Sequence, residues 1–255
     1  MDRVDLLGVK VDACTLAQAV ERIARLVAGG GPHQVVTANA EMIWRAWQER
    51  EFAAVLAGAA LVTADGRGVL WAGRQLGQCL PEQVAGIDLV EALAQHGARA
   101  GWRFFFYGGA PGVAEAAAAA LKKRYPGLAV VGTAHGYQTE AGEERVKEAI
   151  RAARPHLLLV GLGVPKQEYW IARHNPELLV PVAIGVGGSF DVLAGKTRRA
   201  PGWVRHLGLE WLYRLLREPW RWRRQLVLPA FALRVLRAKG VFPAGRRRKR
   251  DEGRE

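Results

Sequence analysis

The sequence predicts an α/β fold: a mostly parallel sheet flanked by helices, with a helical, basic C-terminal appendage. Three observations predict it. From Arg103 onward, short continuous apolar runs alternate with helical patterns, and strands apolar on both faces belong to a parallel sheet covered on both sides. Those runs repeatedly end in glycine, at Gly108-Gly109, Gly161-Leu162-Gly163 and Gly187-Gly188, on the edge where such sheets bind ligands. Charge is also uneven. Residues 1–197 hold 20 Lys and Arg against 19 Asp and Glu, whereas residues 198–250 hold 16 against 2, within a net charge of +13.

Taken in order, Val4 to Val11 reads as a strand. Thr15 can cap a helix from Leu16 to Val27, whose apolar residues Ala19, Val20, Ile23, Leu26 and Val27 recur at helical spacing. Gly29-Gly30-Gly31-Pro32 ends it. His33 to Thr37 is a strand, and Ala38-Asn39-Ala40 leads into a helix carrying Met42, Ile43, Trp44 and Trp47. Ala59 to Val62 is a strand, Val69 to Leu76 is helical, Pro81 to Gly86 is a loop and Ile87 to Ala98 a helix. Strands are expected at Arg103–Tyr107, Leu128–Gly132, His156–Val160 and Val180–Val186. Helices lie between them at Val113–Lys123, Glu140–Ala153 and Pro165–His174. The expected body, residues 1–197, is Rossmann-like.

Residues 198–242 differ in texture. Val204, Leu207, Trp211, Leu212, Leu215 and Leu216 share one helical stripe, with arginines on the other side, and four of the nine tryptophans fall between 203 and 222. Trp and Leu beside Arg is the composition of a helix lying in a membrane interface; the alternative is an amphipathic helix packed on the body. The apolar run Leu226–Leu233 contains Pro229 and is far shorter than the ~20 residues a spanning helix needs. Residues 243–255 read as a disordered basic tail. Two cysteines, Cys14 and Cys79, and no basic segment leading into a long apolar run at the N-terminus place the expected site of action in the cytoplasm.

For chemistry, the first candidate is Asp65 in Thr63-Ala64-Asp65-Gly66-Arg67-Gly68-Val69: a carboxylate at a strand end followed by two glycines, though Asp-Gly is also a common turn pair. Gly108-Gly109-Ala110-Pro111-Gly112 lacks the G-x-G-x-x-G spacing, and no acid ends the next strand, which argues against a nicotinamide or flavin enzyme. The glycines still suit a nucleotide diphosphate near helix N-termini. No Asp-x-Asp and no histidine pair at ligand spacing occurs, so neither metal nor cofactor is expected. A diphosphate would then need arginines, whose fork binds phosphate bidentately.

Thr37-Ala38-Asn39, Ala64-Asp65-Gly66, Phe106-Tyr107-Gly108-Gly109, Gly161-Leu162-Gly163-Val164-Pro165-Lys166-Gln167-Glu168 and Gly185-Val186-Gly187-Gly188-Ser189-Phe190-Asp191 occur in this order. Together they resemble the WecG/TagA/CpsF family of glycosyltransferases, from Val4 to about residue 240. The resemblance implies an inverting, metal-independent transferase that moves N-acetylmannosamine from UDP to undecaprenyl-diphosphate-linked N-acetylglucosamine, in wall teichoic acid linkage-unit synthesis. UDP-N-acetylmannosaminuronate or UDP-glucose are the alternative donors. Asp65 would be the general base; Thr37, Asn39 and Gln167 would contact the sugars and donor; Gly109, Gly187 and Asp191 complete the substrate-binding set. Arg214, Arg221 and Arg224 match appendage arginines that steady the diphosphate. Gln83 stands where family members often carry Arg. The implied partners are a UDP-sugar, a lipid-linked sugar acceptor, the inner face of the cytoplasmic membrane and a second copy of the chain. Nucleic acid binding through the basic C-terminus is the remote alternative, disfavoured because Leu and Trp interleave the arginines.

Overall fold

The structure, a computed structural model, describes residues 2–202, 204, 210–217, 222 and 226–240. The first segment is a hairpin, β1 (Arg3–Leu6) and β2 (Val9–Asp12), rather than the single strand expected from Val4 to Val11. Leu7 and Gly8 both have positive φ, and the Asp5 carboxylate accepts the Gly8 N–H at 2.7 Å, so the chain reverses within two residues. Helix α1 (Leu16–Gly29) starts at the expected cap. Thr15 Oγ1 accepts Gln18 N–H, and the Gln18 side chain accepts Thr15 N–H, a full capping box.

Strand β3 (His33–Ala38) leads into α2 (Ala40–Gln48), capped by Asn39. The helix breaks at Glu49, whose φ of −118° and ψ of 107° are extended, and restarts as α3 (Arg50–Ala57). Then come β4 (Leu61–Ala64), α4 (Arg67–Gln75), α5 (Gly86–Ala100), β5 (Arg103–Gly108) and α6 (Val113–Arg124). The body closes with β6 (Ala129–Ala134), α7 (Glu140–Ala153), β7 (Leu157–Gly161), α8 (Lys166–Leu178), β8 (Val182–Gly185) and the short α9 (Ser189–Leu193). Beyond it, the described residues contain α10 (Glu210–Arg217) and α11 (Val227–Ala238).

Strands β3 to β8 form one sheet in the order β4-β3-β8-β7-β5-β6, every pairing parallel. Alternate residues of β3, β4, β5, β7 and β8 enter different cores, as the period of two requires. Val35, Leu61, Phe104, Phe106, Leu157, Leu159, Val182 and Ile184 pack on the side of α1, α5, α6 and α9. Val36 and Val62 face the hairpin, α2, α3 and α4. Phe105, Tyr107, Leu158, Val160 and Ala183 face α7 and α8. On the first side the Phe106 and Phe190 rings stack 5.1 Å apart.

Two features position the site. Neighbouring strands β3 and β8 send their following helices, α2 and α9, to opposite sides of the sheet, which opens a crevice over their carboxyl ends. Helix α11 returns to the body, burying Phe231 and Val235 in the core that holds Met42, Ile43, Val69 and Ala72. Arg199 grips Asp88 of α5 through two contacts of 2.5 and 2.6 Å, fixing the strap that follows the body. No helix among the described residues is long and apolar enough to cross a membrane.

Candidate active site

Above the carboxyl ends of the strands lies a cavity of about 1400 Å³. That exceeds the ordinary size of a small-molecule pocket, roughly 300–1,000 Å³. Its lining has two textures. Over the loops that follow β5 to β8 it is rich in glycine: Gly109, Gly136, Gly161, Gly163 and Gly187. The other texture is apolar, built by Leu70 and Trp71 of α4, Trp211 of α10, and Leu228, Phe231 and Ala232 of α11.

Asp65 follows β4 at the start of the turn into α4, ahead of Leu70 and Trp71. Its N–H donates to Ala38 O at 2.8 Å, continuing the β3–β4 ladder one step beyond the strands. Its Oδ2 accepts the N–H of Gly86, the first residue of α5, at 3.3 Å. The first N–H of a helix is a good donor to a carboxylate, and this contact fixes the side chain of Asp65 over the start of α5. Gly66, at φ +97°, makes the turn that a side chain would strain.

Thr37 and Asn39 stand on the adjacent strand end. Thr37 is buried, and its hydroxyl donates to Gly185 O at 3.4 Å, reaching across to β8. Gly86 passes so close that a Cβ there would sit 3.2 Å from Thr37 Oγ1. Asn39 Oδ1 accepts Met42 N–H at 3.0 Å, so the residue read as a sugar contact also caps α2. The structure thus brings Thr37, Asn39 and Asp65 together on two neighbouring strand ends, about 4.8 Å apart by sheet geometry.

Gln167, Gly109, Gly187 and Asp191 also line the cavity. Gln167 is 3% exposed, and its Oε1 accepts the N–H groups of Gly163 at 3.2 Å and Gly187 at 2.9 Å. Its Nε2 donates to Glu168 Oε1 at 2.7 Å. Gly109 donates to Gly161 O at 3.0 Å and accepts from Gly136 N at 2.8 Å, which joins the loops after β5, β6 and β7. Asp191 lies in the first turn of α9, and its carbonyl receives the N–H groups of Lys196 and Thr197.

Arg221 and Arg224 lie outside the described residues, and of Arg214 only the backbone, in α10, is described. The basic tail, residues 243–255, also lies outside them. Several cations on the cavity wall were not singled out from sequence: Arg67 and Arg74 of α4 and Lys166 at the start of α8. Their signal was available, since Arg67 sits inside the Asp-Gly turn and Lys166 beside Gln167. Gln83 lines the same wall. Tyr137 and Gln138, on the loop after β6, form part of the rim, and Tyr137 is 76% exposed. Glu168, next to Gln167, is 1% exposed. Burial, reinforced by the negative charge of Glu41, pushes its carboxyl up to about 7, against the opposing hydrogen bond from Gln167.

Comparison with known proteins agrees with this geometry. The profile of the family described as "Glycosyl transferase WecG/TagA/CpsF family" matches residues 4–243. An N-acetylglucosaminyldiphosphoundecaprenol N-acetyl-beta-D-mannosaminyltransferase of Bacillus spizizenii is 37% identical over 203 residues, covering 80% of this chain and 78% of the relative. The protein of the same name from Staphylococcus aureus strain MW2 is 35% identical over 239 residues, 93% of each chain. The Bacillus subtilis strain 168 counterpart is 36% identical over 205 residues, with 80% and 78% covered.

Proposed function

The chain belongs to the WecG/TagA/CpsF family of glycosyl transferases, and from that premise we propose that it moves N-acetylmannosamine from UDP-N-acetylmannosamine to undecaprenyl-diphosphate-linked N-acetylglucosamine, inverting the transferred carbon and using no metal ion. The observation that carries this reading is the two-textured cavity. The glycine-rich loops let a nucleotide diphosphate lie close to the backbone, and the apolar wall suits the lipid side of the acceptor. Asp65 stands by the turn that leads into the apolar wall.

In this reading Asp65 accepts the proton of the acceptor hydroxyl as that oxygen attacks the sugar carbon. A positioned base of this kind supplies roughly 10²–10⁴-fold. Thr37 and Asn39 orient the sugars beside it. Negative charge grows on the departing diphosphate, and preorganised cations stabilise it where water is excluded. Arg67, Arg74 and Lys166 stand on the cavity wall for this task, and Arg214, Arg221 and Arg224 join them from the appendage.

A lipid-linked acceptor requires work at a bilayer surface. Trp211, Leu216, Trp222, Leu226 and Leu233 are exposed on the appendage, among the basic residues counted above. We therefore place the enzyme peripherally on the inner face of the cell membrane, with self-association as its state away from lipid and without a role for nucleic acid.

The test is turnover of a synthetic lipid-diphosphate-GlcNAc acceptor in anionic vesicles with UDP-ManNAc, with a chelator present. A disaccharide-lipid product is expected, together with co-sedimentation of the protein with the vesicles. Product only from UDP-N-acetylmannosaminuronate or UDP-glucose would move the donor assignment. Product from none of the three would end the reading.

A further inference from the structure

The stretch Lys166-Gln167-Glu168 contributes more to the crevice than the cavity-lining Gln167. Glu168 lies within α8, and its Oε2 has no hydrogen-bond partner among the described residues. A carboxyl taken out of water costs free energy unless something answers it, and the neighbouring charge here, Glu41, has the same sign. As pure packing, an apolar side chain would serve better. What Glu168 does make is one contact of 2.7 Å from Gln167 Nε2 to its Oε1.

That contact is the first link of a chain. With Nε2 turned to Glu168, the amide oxygen of Gln167 faces the other way, into the N–H groups of Gly163 and Gly187. These belong to the loops after β7 and after β8. The backbone is shaped to admit the pair: a Cβ on Gly185 would lie 2.6 Å from Gln167 Nε2 and 2.9 Å from Glu168 Oε1. Glu168 is tied down on its other side as well, since its carbonyl accepts Gln34 Nε2 of β3 at 3.2 Å.

Resting on the transferase reading above, we propose that Glu168 is a positioning residue for transfer: through the Gln167 amide it fixes the spacing of the Gly163 and Gly187 loops, the backbone on which the donor diphosphate lies. It touches no substrate itself. Replacing it with an acceptor of equal length preserves the device, and replacing it with an apolar side chain of equal length removes it.

The experiment compares full-length wild type, Glu168→Gln and Glu168→Met by kcat and donor KM, and by hydrogen exchange of the Gly163 and Gly187 amides. Glu168→Met is expected to lose about tenfold or more in the protection of both amides, the cost of leaving a buried donor unpaired, with a fall in kcat of similar size. Glu168→Gln is expected to stay within about threefold of wild type in both, because its side-chain oxygen still accepts from Nε2. Unchanged kcat in Glu168→Met overturns the proposal, and so does equal loss in both variants. Should Glu168→Met fail to fold, couplings across the hydrogen bonds from the Gly163 and Gly187 nitrogens to Gln167 Cδ decide the matter in wild type, and their absence overturns it. Amide exchange needs no substrate, so it is decided even if wild type does not use UDP-ManNAc.

Discussion

Phe231→Ala tests how the C-terminal helix completes the cavity. Phe231 is 2% exposed and Val235 fully buried, and these are the two buried side chains that α11 inserts into the core of α2 and α4. Arg234 adds a cation–π contact 4.9 Å from the centre of the Trp47 ring, worth about 0.5–1 kcal/mol. Removing a buried Phe ring costs about 3–5 kcal/mol. A peripheral helix can open without the rest of the body, so most of that loss falls on its docking. A loss of about 3 kcal/mol raises the opened population roughly 150-fold, at 1.36 kcal/mol per factor of ten. Hydrogen exchange followed by mass spectrometry reads this directly. Exchange across residues 227–238 should accelerate by about two orders of magnitude, while α6 keeps its protection. Transfer should fall with it, because Leu228 and Ala232 leave the cavity wall. Unchanged exchange over 227–238 would refute the docking, and equal acceleration throughout the body would show that α11 does not open independently.

Asp65→Ala should fold normally and lose about 10²–10⁴-fold in transfer; a loss below about tenfold would remove Asp65 as the base. Gly108→Ala should fold poorly, because its Cβ would lie 2.4 Å from the backbone carbonyl of Gly161 at φ +139°; a melting temperature equal to wild type would contradict this. Glu168 keeps, in the folded chain, a proton that the unfolded chain releases from its ordinary value of 4.5 upward. Stability should therefore fall as pH rises from about 4.5 to about 7, by about 3 kcal/mol in all, and Glu168→Gln should lack this decline. Urea unfolding at about pH 5 and about pH 8 measures it, and equal slopes in the two proteins would sink the assignment.

Local features were the legible ones. The Thr15 cap was readable because its partner Gln18 lies three positions on, and α7 begins and ends where its pattern predicts, at Glu140 and Ala153. Position-specific turn chemistry was harder. Leu7 is not a residue that announces positive φ, so the hairpin looked like one strand. The break at Glu49 is equally silent, since nothing in the letters stops a helix there. Sheet order depends on long-range pairing: β3 meets β8 although Val36 and Gly185 lie at opposite ends of the body sequence. At the site, Asp65 could be singled out from its strand end and the glycines after it, while Thr37 and Asn39 came through the family resemblance; all three line the cavity. Glu168 was not, because a charged letter inside a helix reads as a solvated face until burial is known. The same holds for Arg67, Arg74 and Lys166, whose direction toward the cavity is a tertiary fact.

The wall supplied by α11 has a consequence for how the molecule comes into being. Chains emerge from the ribosome N-terminus first, and a body of this size gathers its core as it appears. The surfaces of α2 and α4 that receive Phe231 are therefore made long before Phe231 itself. Until α11 arrives, the cavity lacks the wall that Leu228, Phe231 and Ala232 supply. The tryptophans and leucines of the appendage are synthesised after the strands and helices they follow, so they meet surfaces made before them. A message cut short near residue 200 would keep Asp65 and lose the wall that Leu228, Phe231 and Ala232 give the cavity.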